Sequence, residues 1–200
     1  MAEVSKGYAP LQERIRKEGR VLPGNIIKID GFLNHRVDMQ LMHELSHEFL
    51  RRFDTTGVTL VMTVEASGIA LASAVAADLG VPLLYAKKAK SDNIEGGLFQ
   101  SEIMSYTYKK KVTLLVSQEW LKPEDHVLII DDFMANGYAM GGLVDIVNKA
   151  GATLEGIGVA VEKGFQGGGD KFRAMEGVPY HALAVIEKAD ENGIVFRGEE

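Results

Sequence analysis

The 200-residue chain has no cysteine, which excludes disulfides and thiolate metal sites and fits a reducing compartment. It has no excess of basic residues either. Its formal net charge is −6, and affinity for nucleic acid rests largely on lysine and arginine set against phosphates, so nucleic acid is not expected as a partner. No long apolar run is present. The longest charge-free apolar stretch, Ala66 to Ala77, falls short of the roughly 20 residues a membrane-spanning helix needs, so no membrane association is expected. Met1-Ala2-Glu3 opens without a basic segment and apolar core, so no signal peptide is expected. Internal repeats, linkers and low-complexity segments are also missing. Together these point to a single soluble, cytoplasmic domain spanning residues 1–200.

What is present is an alternation of short apolar runs and helix-spaced segments. Residues 11–18 suggest a short surface helix, and 21–37, with Pro23, Gly24 and Gly31, an extended, looped segment. Met39, Met42, Leu45, Phe49 and Leu50 recur at helical spacing, which predicts a helix over 38–53 with Asp38 as its N-cap. Strand 59–64 leads through Glu65-Ala66-Ser67-Gly68 into an alanine-rich helix over 69–78, stopped by Gly80. Strand 82–86 ends in Lys87-Lys88. Strand 127–131 feeds helix 139–150, and after Gly151 comes strand 157–161, ending in Glu162-Lys163. Strands alternating with helices predict βαβ units on a parallel sheet. Right-handed crossovers then gather loops 65–68, 87–90, 132–138 and 162–165 at the C-terminal edge, where such sheets bind ligands. Residues 89–117 break the rhythm: Phe99–Tyr106 and Val112–Ser117 read as an antiparallel flap.

The most informative stretch is 127–139, Val-Leu-Ile-Ile-Asp-Asp-Phe-Met-Ala-Asn-Gly-Tyr-Ala. An apolar strand runs into two adjacent carboxylates, Asp131 and Asp132, which repel each other and need partners. Sugar hydroxyls are suitable donors to them. A small-residue loop and a helix start follow, and backbone amides there can hold a phosphate.

This stretch resembles the phosphoribosyl-diphosphate (PRPP) motif of the type I phosphoribosyltransferases, in which hydrophobics lead to Asp-Asp or Glu-Asp and then a small-residue loop. Many members have Thr-Thr-Gly where this chain has Ala135-Asn136-Gly137, and the Ala-Asn-Gly variant is similar to the branch that salvages xanthine. The resemblance runs from about Gly19 to Phe196. It implies an α/β fold: a Rossmann-like core with a parallel sheet flanked by helices, a flexible antiparallel flap at about 89–117 and a small N-terminal hood at about 20–37.

The resemblance also implies roles. Asp131 and Asp132 would hold the ribose as the catalytic acid pair. Ala135, Asn136, Gly137, Tyr138 and Ala139 would wrap the 5′-phosphate. Glu65, Ala66, Ser67 and Gly68 would bind diphosphate through backbone amides, often with a strained peptide bond in the family, assisted by Lys88, one of the cations Lys87, Lys88 and Lys90. Ile27 and Asn34 of the hood and Lys163 would meet xanthine. A lysine donates only, so it suits the 6-oxygen of an oxo-purine and not the amino group of adenine. Phe133 or Phe165 could stack on the base. Mg²⁺ would be carried mainly by PRPP, so no dedicated metal ligands are expected. A homodimer is expected too.

Plainer readings stand beside these. Asn136-Gly137 can be a simple turn, Ser67 an ordinary N-cap, and the lysines a solvated loop. His43-Glu44-Leu45-Ser46-His47 has the spacing of a zinc hydrolase motif. No third ligand is evident downstream, and Met42, Leu45 and Phe49 commit that helix to a core, which favours a solvated histidine face. Two further alternatives keep the fold: a phosphoribosyltransferase preferring hypoxanthine or guanine, and a non-catalytic PRPP-sensing regulator. The regulator would need a DNA-binding module, for which about twenty residues before the hood are too few.

Overall fold

A computed structural model describes residues 7–89, 97–105, 110–191 and 193–199. In chain order these form α1 (Ala9–Glu18), β1 (Arg20–Leu22), β2 (Ile26–Lys28), a π-helical turn (Asp30–Asn34), α2 (Met39–Arg52), β3 (Leu60–Val64), α3 (Gly68–Leu79) and β4 (Leu83–Ala86). There follow β5 (Leu98–Ser105), β6 (Lys110–Ser117), β7 (His126–Met134), α4 (Tyr138–Ala150), β8 (Thr153–Lys163), a 3-10 turn (Gly164–Gln166), α5 (Gly168–Arg173), β9 (Tyr180–Asp190) and β10 (Gly193–Phe196).

The main sheet has the order β10-β9-β8-β7-β3-β4. Its strands pair in parallel except β10, which returns antiparallel to β9. The chain leaves β3 for β4 on one side and comes back to β7 on the other, so the order reverses between β3 and β7. Their C-terminal ends frame the crevice where open parallel sheets bind ligands.

Both faces of the sheet are covered, and the β3 and β7 side chains alternate between two cores. Val61, Leu128 and Ile130 pack with α1, α2, α3 and the N-terminal turn. Leu60, Met62, Val127 and Ile129 pack with α4, α5 and the β5–β6 hairpin. The helices follow their sequence signals. Asp38 caps α2, accepting from the amides of Gln40 and Leu41 at 3.1 and 3.2 Å. Leu45 and Phe49 are fully buried under α2. Truncating such a residue costs about 2–5 kcal/mol.

Several elements differ from expectation. The strand expected at 127–131 continues to Met134, and that expected at 157–161 spans Thr153–Lys163, because the two pair with each other as far as Met134↔Glu162. Asp131 and Asp132 therefore lie inside a strand, and the phosphate-loop candidate shortens to 135–137 before α4. The hood is not simply extended. It is the β1–β2 hairpin followed by the π-helical turn, which curls to bury Phe32 and Leu33. The elements from Gly164 to Phe196 were not anticipated.

The flap is a β5–β6 hairpin, each strand offset slightly from its expected bounds. Lys87 and Leu115 tie its base to the sheet through reciprocal backbone bonds of 2.9 and 2.8 Å. It also leans on α4: a Cβ at Gly142 would come within 2.6 Å of Ile103 Cγ2. Lys90 and the Ser91-Asp92-Asn93 and 106–109 parts of the expected flap lie outside the described residues.

Candidate active site

The acid pair is buried near the C-terminal end of β7, with Asp131 5% and Asp132 4% exposed. Asp132 is the meeting point of three segments. Its Oδ2 accepts from Asn34 Nδ2 at 3.0 Å, and its Oδ1 accepts from Ser67 Oγ at 3.0 Å. A hood residue and a residue of the β3–α3 loop thus grip opposite oxygens of one carboxylate. Ser67 stands at the N-cap position of α3 but makes no capping bond with its side chain. The plain N-cap reading fails because that hydroxyl is committed to Asp132.

Asp131 is held differently. Its Oδ1 accepts from the amide of Asp132 at 3.0 Å and lies 3.4 Å from Thr63 Oγ1. Burial, and then the neighbouring Asp132 carboxylate, push its pKa well above the usual carboxylate range, with Lys88 opposing. Gly68 packs on this group. A Cβ there would overlap both Asp131 Oδ1 and Thr63 Oγ1. Thr63 escaped sequence reading, although it is the one hydroxyl in the wholly buried strand Leu60–Val64.

The β3–α3 loop has a cis peptide bond between Glu65 and Ala66. Glu65 Oε1 accepts from the backbone amide of Lys88 at 2.6 Å, which joins this loop to the one after β4. Glu65, Ala66, Ser67, Gly68 and Lys88 are thereby brought beside the acid pair. Gly137, at the N-cap of α4, has φ +81°, a conformation that favours glycine. A simple turn would leave this loop free, whereas it is backed by α5. The amide of Gly168 donates to Ala135 O at 3.1 Å, and a Cβ at Gly137 would come 2.9 Å from Phe172. Asn136 Oδ1 is buried without a hydrogen-bond partner.

Lys163 ends β8 on the same edge, its Nζ 5.3 Å from the centre of the Phe133 ring. Burial lowers its basicity and the Asp132 charge partly restores it, which places lysine and acid pair in one electrostatic neighbourhood. Phe165 is exposed. Ile27 sits on the hood strand that leads to Asn34, with its side chain in the core. His43 and His47 are outward-facing on α2, at 3.6 and 3.7 Å from the two oxygens of Asp78. Among the described residues, no three histidine or acid side chains are grouped to hold a metal ion.

A buried acid pair at a sheet switch point, a small-residue loop opening a helix, and a second loop converging on the acid pair are brought together on one sheet edge. Residues 33–178 match the phosphoribosyl transferase domain. The chain belongs to the phosphoribosyltransferase family.

Similar phosphoribosyltransferases include the xanthine phosphoribosyltransferase of Lachnoclostridium phytofermentans, 48% identical over 95% of this chain and 98% of that protein. The xanthine phosphoribosyltransferase of Streptococcus pneumoniae serotype 4 is 44% identical over 94% and 96% of the two chains. Among solved structures, the adenine phosphoribosyl transferase of Trypanosoma brucei, in complex with AMP, pyrophosphate and ribose-5-phosphate, superposes with a TM-score of 0.74. It is 22% identical and covers 95% of this chain and 86% of its own. The type I phosphoribosyltransferase fold expected from the sequence is thus present, with its mixed sheet, flanking helices and antiparallel hairpin. No helix among the described residues is long and apolar enough to cross a membrane.

Proposed function

We propose that this phosphoribosyltransferase transfers the 5-phosphoribosyl group of PRPP to xanthine, giving xanthosine 5′-monophosphate and diphosphate in purine salvage. The observation that carries the reading is the convergence of Asn34 and Ser67 on Asp132. A base-side segment and a diphosphate-side segment meet on the carboxylate that would hold the ribose between them. Relatives that share more than two-fifths of their residues with this chain and carry the xanthine phosphoribosyltransferase name support the choice of base.

Each group then has work. The amides of residues 135–139, at the start of α4, receive the 5′-phosphate. Asp131 and Asp132 accept from the ribose hydroxyls, Asp132 exchanging Asn34 and Ser67 for substrate. Residues 65–68 and Lys88 receive the diphosphate. Lys163 donates to the 6-oxygen of the base, and Asn34 and the hood around Ile27 complete its pocket. The C1–O bond to diphosphate breaks, a C1–N bond to the purine forms, and the purine nitrogen loses its proton. The developing positive charge on the sugar is stabilised by the buried acid pair, and closure of the flap excludes water.

The donor set suits Mg²⁺, which prefers carboxylate, phosphate and water oxygens. The diphosphate and ribose hydroxyls of PRPP would carry the ion, with Asp131 and Asp132 holding the ribose beside it. When bound, the ion neutralises charge on the leaving group. We further propose a single domain that works as a cytoplasmic homodimer.

Incubation with PRPP, Mg²⁺ and each of xanthine, guanine, hypoxanthine and adenine, followed by diphosphate release, tests the reading. Turnover is expected with xanthine foremost and not with adenine. Turnover with adenine alone contradicts the role of Lys163, and none with any base refutes the enzyme reading.

A further inference from the structure

Glu162, the residue before Lys163, is fully buried, and a buried carboxylate persists only where its surroundings hold it. Its Oε2 accepts from Arg173 Nη2 and from the Tyr180 hydroxyl, the latter at 2.8 Å. Gly169 presses on its carboxyl group: a Cβ at 169 would overlap it. Arg173 and Gly169 both belong to α5, so this carboxylate fastens the two ends of that short helix to the strand that bears Lys163.

α5 in turn backs the phosphate loop. Gly168 N donates to Ala135 O at 3.1 Å, and a Cβ at 168 would come within 2.6 Å of the Asn136 carbonyl carbon and the Gly137 nitrogen. Phe172 fills the space under Gly137, where a Cβ would come 2.9 Å from its ring. Two residues of α5, Gly168 and Phe172, therefore pack against residues 135–137, and the helix is too short to hold its own position without an anchor.

From this geometry we propose that Glu162 and Arg173 are positioning residues for PRPP. Their part-buried ion pair seats α5 as a strut behind loop 135–137 and fixes the backbone amides that receive the 5′-phosphate. This rests on the reading of that loop as the phosphate site. Glu162 acts through α5 and touches no substrate. An ion pair is suited to the task because it is directional: it fixes where along β8 the helix sits, which an apolar contact would leave free to slide.

The test is a split in Michaelis constants. Glu162→Gln and the double variant E162Q/R173M, which leaves no stranded charge, are assayed with PRPP varied at saturating xanthine. Glu48→Gln serves as the matched control, because Glu48 is also buried and paired, with Arg51 and Arg52 on α2. Thermal melting of each variant identifies those that fold, and Tyr180→Phe, which removes a hydrogen bond and no charge, is carried as a milder probe.

The KM for PRPP is expected to rise about tenfold in the double variant and at least threefold in Glu162→Gln. kcat should stay within threefold, and Glu48→Gln should leave the KM unmoved even where it lowers the melting temperature. A rise below threefold in both Glu162 variants, or an equal rise in Glu48→Gln, overturns the proposal. A wild-type protein that turns over no PRPP overturns the phosphate-loop reading itself.

Discussion

The side-chain amide of Asn34 donates to Asp132 at 3.0 Å, across 98 positions of sequence. This bond closes the hood over the acid pair before any substrate is present. In the proposed reading, substrate ribose displaces it, and the freed amide becomes available to the base. Asn34→Ala should raise the KM for xanthine by about 5–30-fold, the worth of one hydrogen bond of about 1–2 kcal/mol. It should change the KM for PRPP less, since the substitution also uncovers Asp132. Initial rates with each substrate varied in turn decide this. An equal loss on both sides would argue against a base-side role.

Asp131 makes a prediction about stability and pH. Its pKa is raised by burial and by Asp132, so the folded chain holds a proton there that the unfolded chain releases at lower pH. The sign follows. Stability is highest below the unfolded-state value and falls as pH rises through the folded value. Asp131→Asn should therefore melt higher than wild type at pH 8, by about 2–4 °C for each kcal/mol recovered, and the gap should close toward pH 4. Melts across that range check it, and a gap that widens in acid would reverse the assignment.

Gly68 is tied to the same carboxylate. Gly68→Ala drives a methyl group into Asp131 Oδ1 and Thr63 Oγ1, both held in the buried end of the sheet. Overpacking of this kind costs about 1–3 kcal/mol. The melting temperature should drop, and PRPP turnover should fall by about 10–100-fold, because relief requires the acid pair to move. Retained turnover would mean that Asp131 tolerates displacement.

Lys163 supplies a test of proximity. Burial depresses its basicity from the ordinary lysine value of 10.5, and Asp132 raises it. The signal of its ε-carbon in an NMR titration should turn below pH 10.5. In Asp132→Asn the midpoint should fall further, as the supporting charge is gone. A midpoint unmoved by that substitution would separate Lys163 from the acid pair.

Much of this site was legible because its chemistry is local. The run Val127 to Ala139 carries strand, acids, loop and helix start in sequence order, and α2, α3 and α4 announce themselves by spacing, cap and terminal glycine. What was illegible depends on partners far along the chain. β7 and β8 outrun their apolar stretches because each extends the other's ladder past polar residues. The π-helical turn at Asp30–Asn34 forms because Phe32 and Leu33 find a core, which no local pattern encodes. Glu162 read only as the neighbour of Lys163, since its partners Arg173 and Tyr180 lie 11 and 18 residues away. Ser67 reads in the sequence as a cap or a diphosphate contact, and its hydroxyl instead meets Asp132, 65 residues away.

In the proposed reading, the Asp132 carboxylate is where the PRPP and base halves of the site meet. Asp132→Asn, assayed with PRPP varied at saturating xanthine and Mg²⁺, tests it most directly. Loss of charge-assisted hydrogen bonds worth about 1.5–3 kcal/mol predicts a fall in kcat/KM for PRPP of about 10–150-fold, with the circular dichroism spectrum unchanged. Kinetics equal to wild type in a folded Asp132→Asn protein would contradict the account.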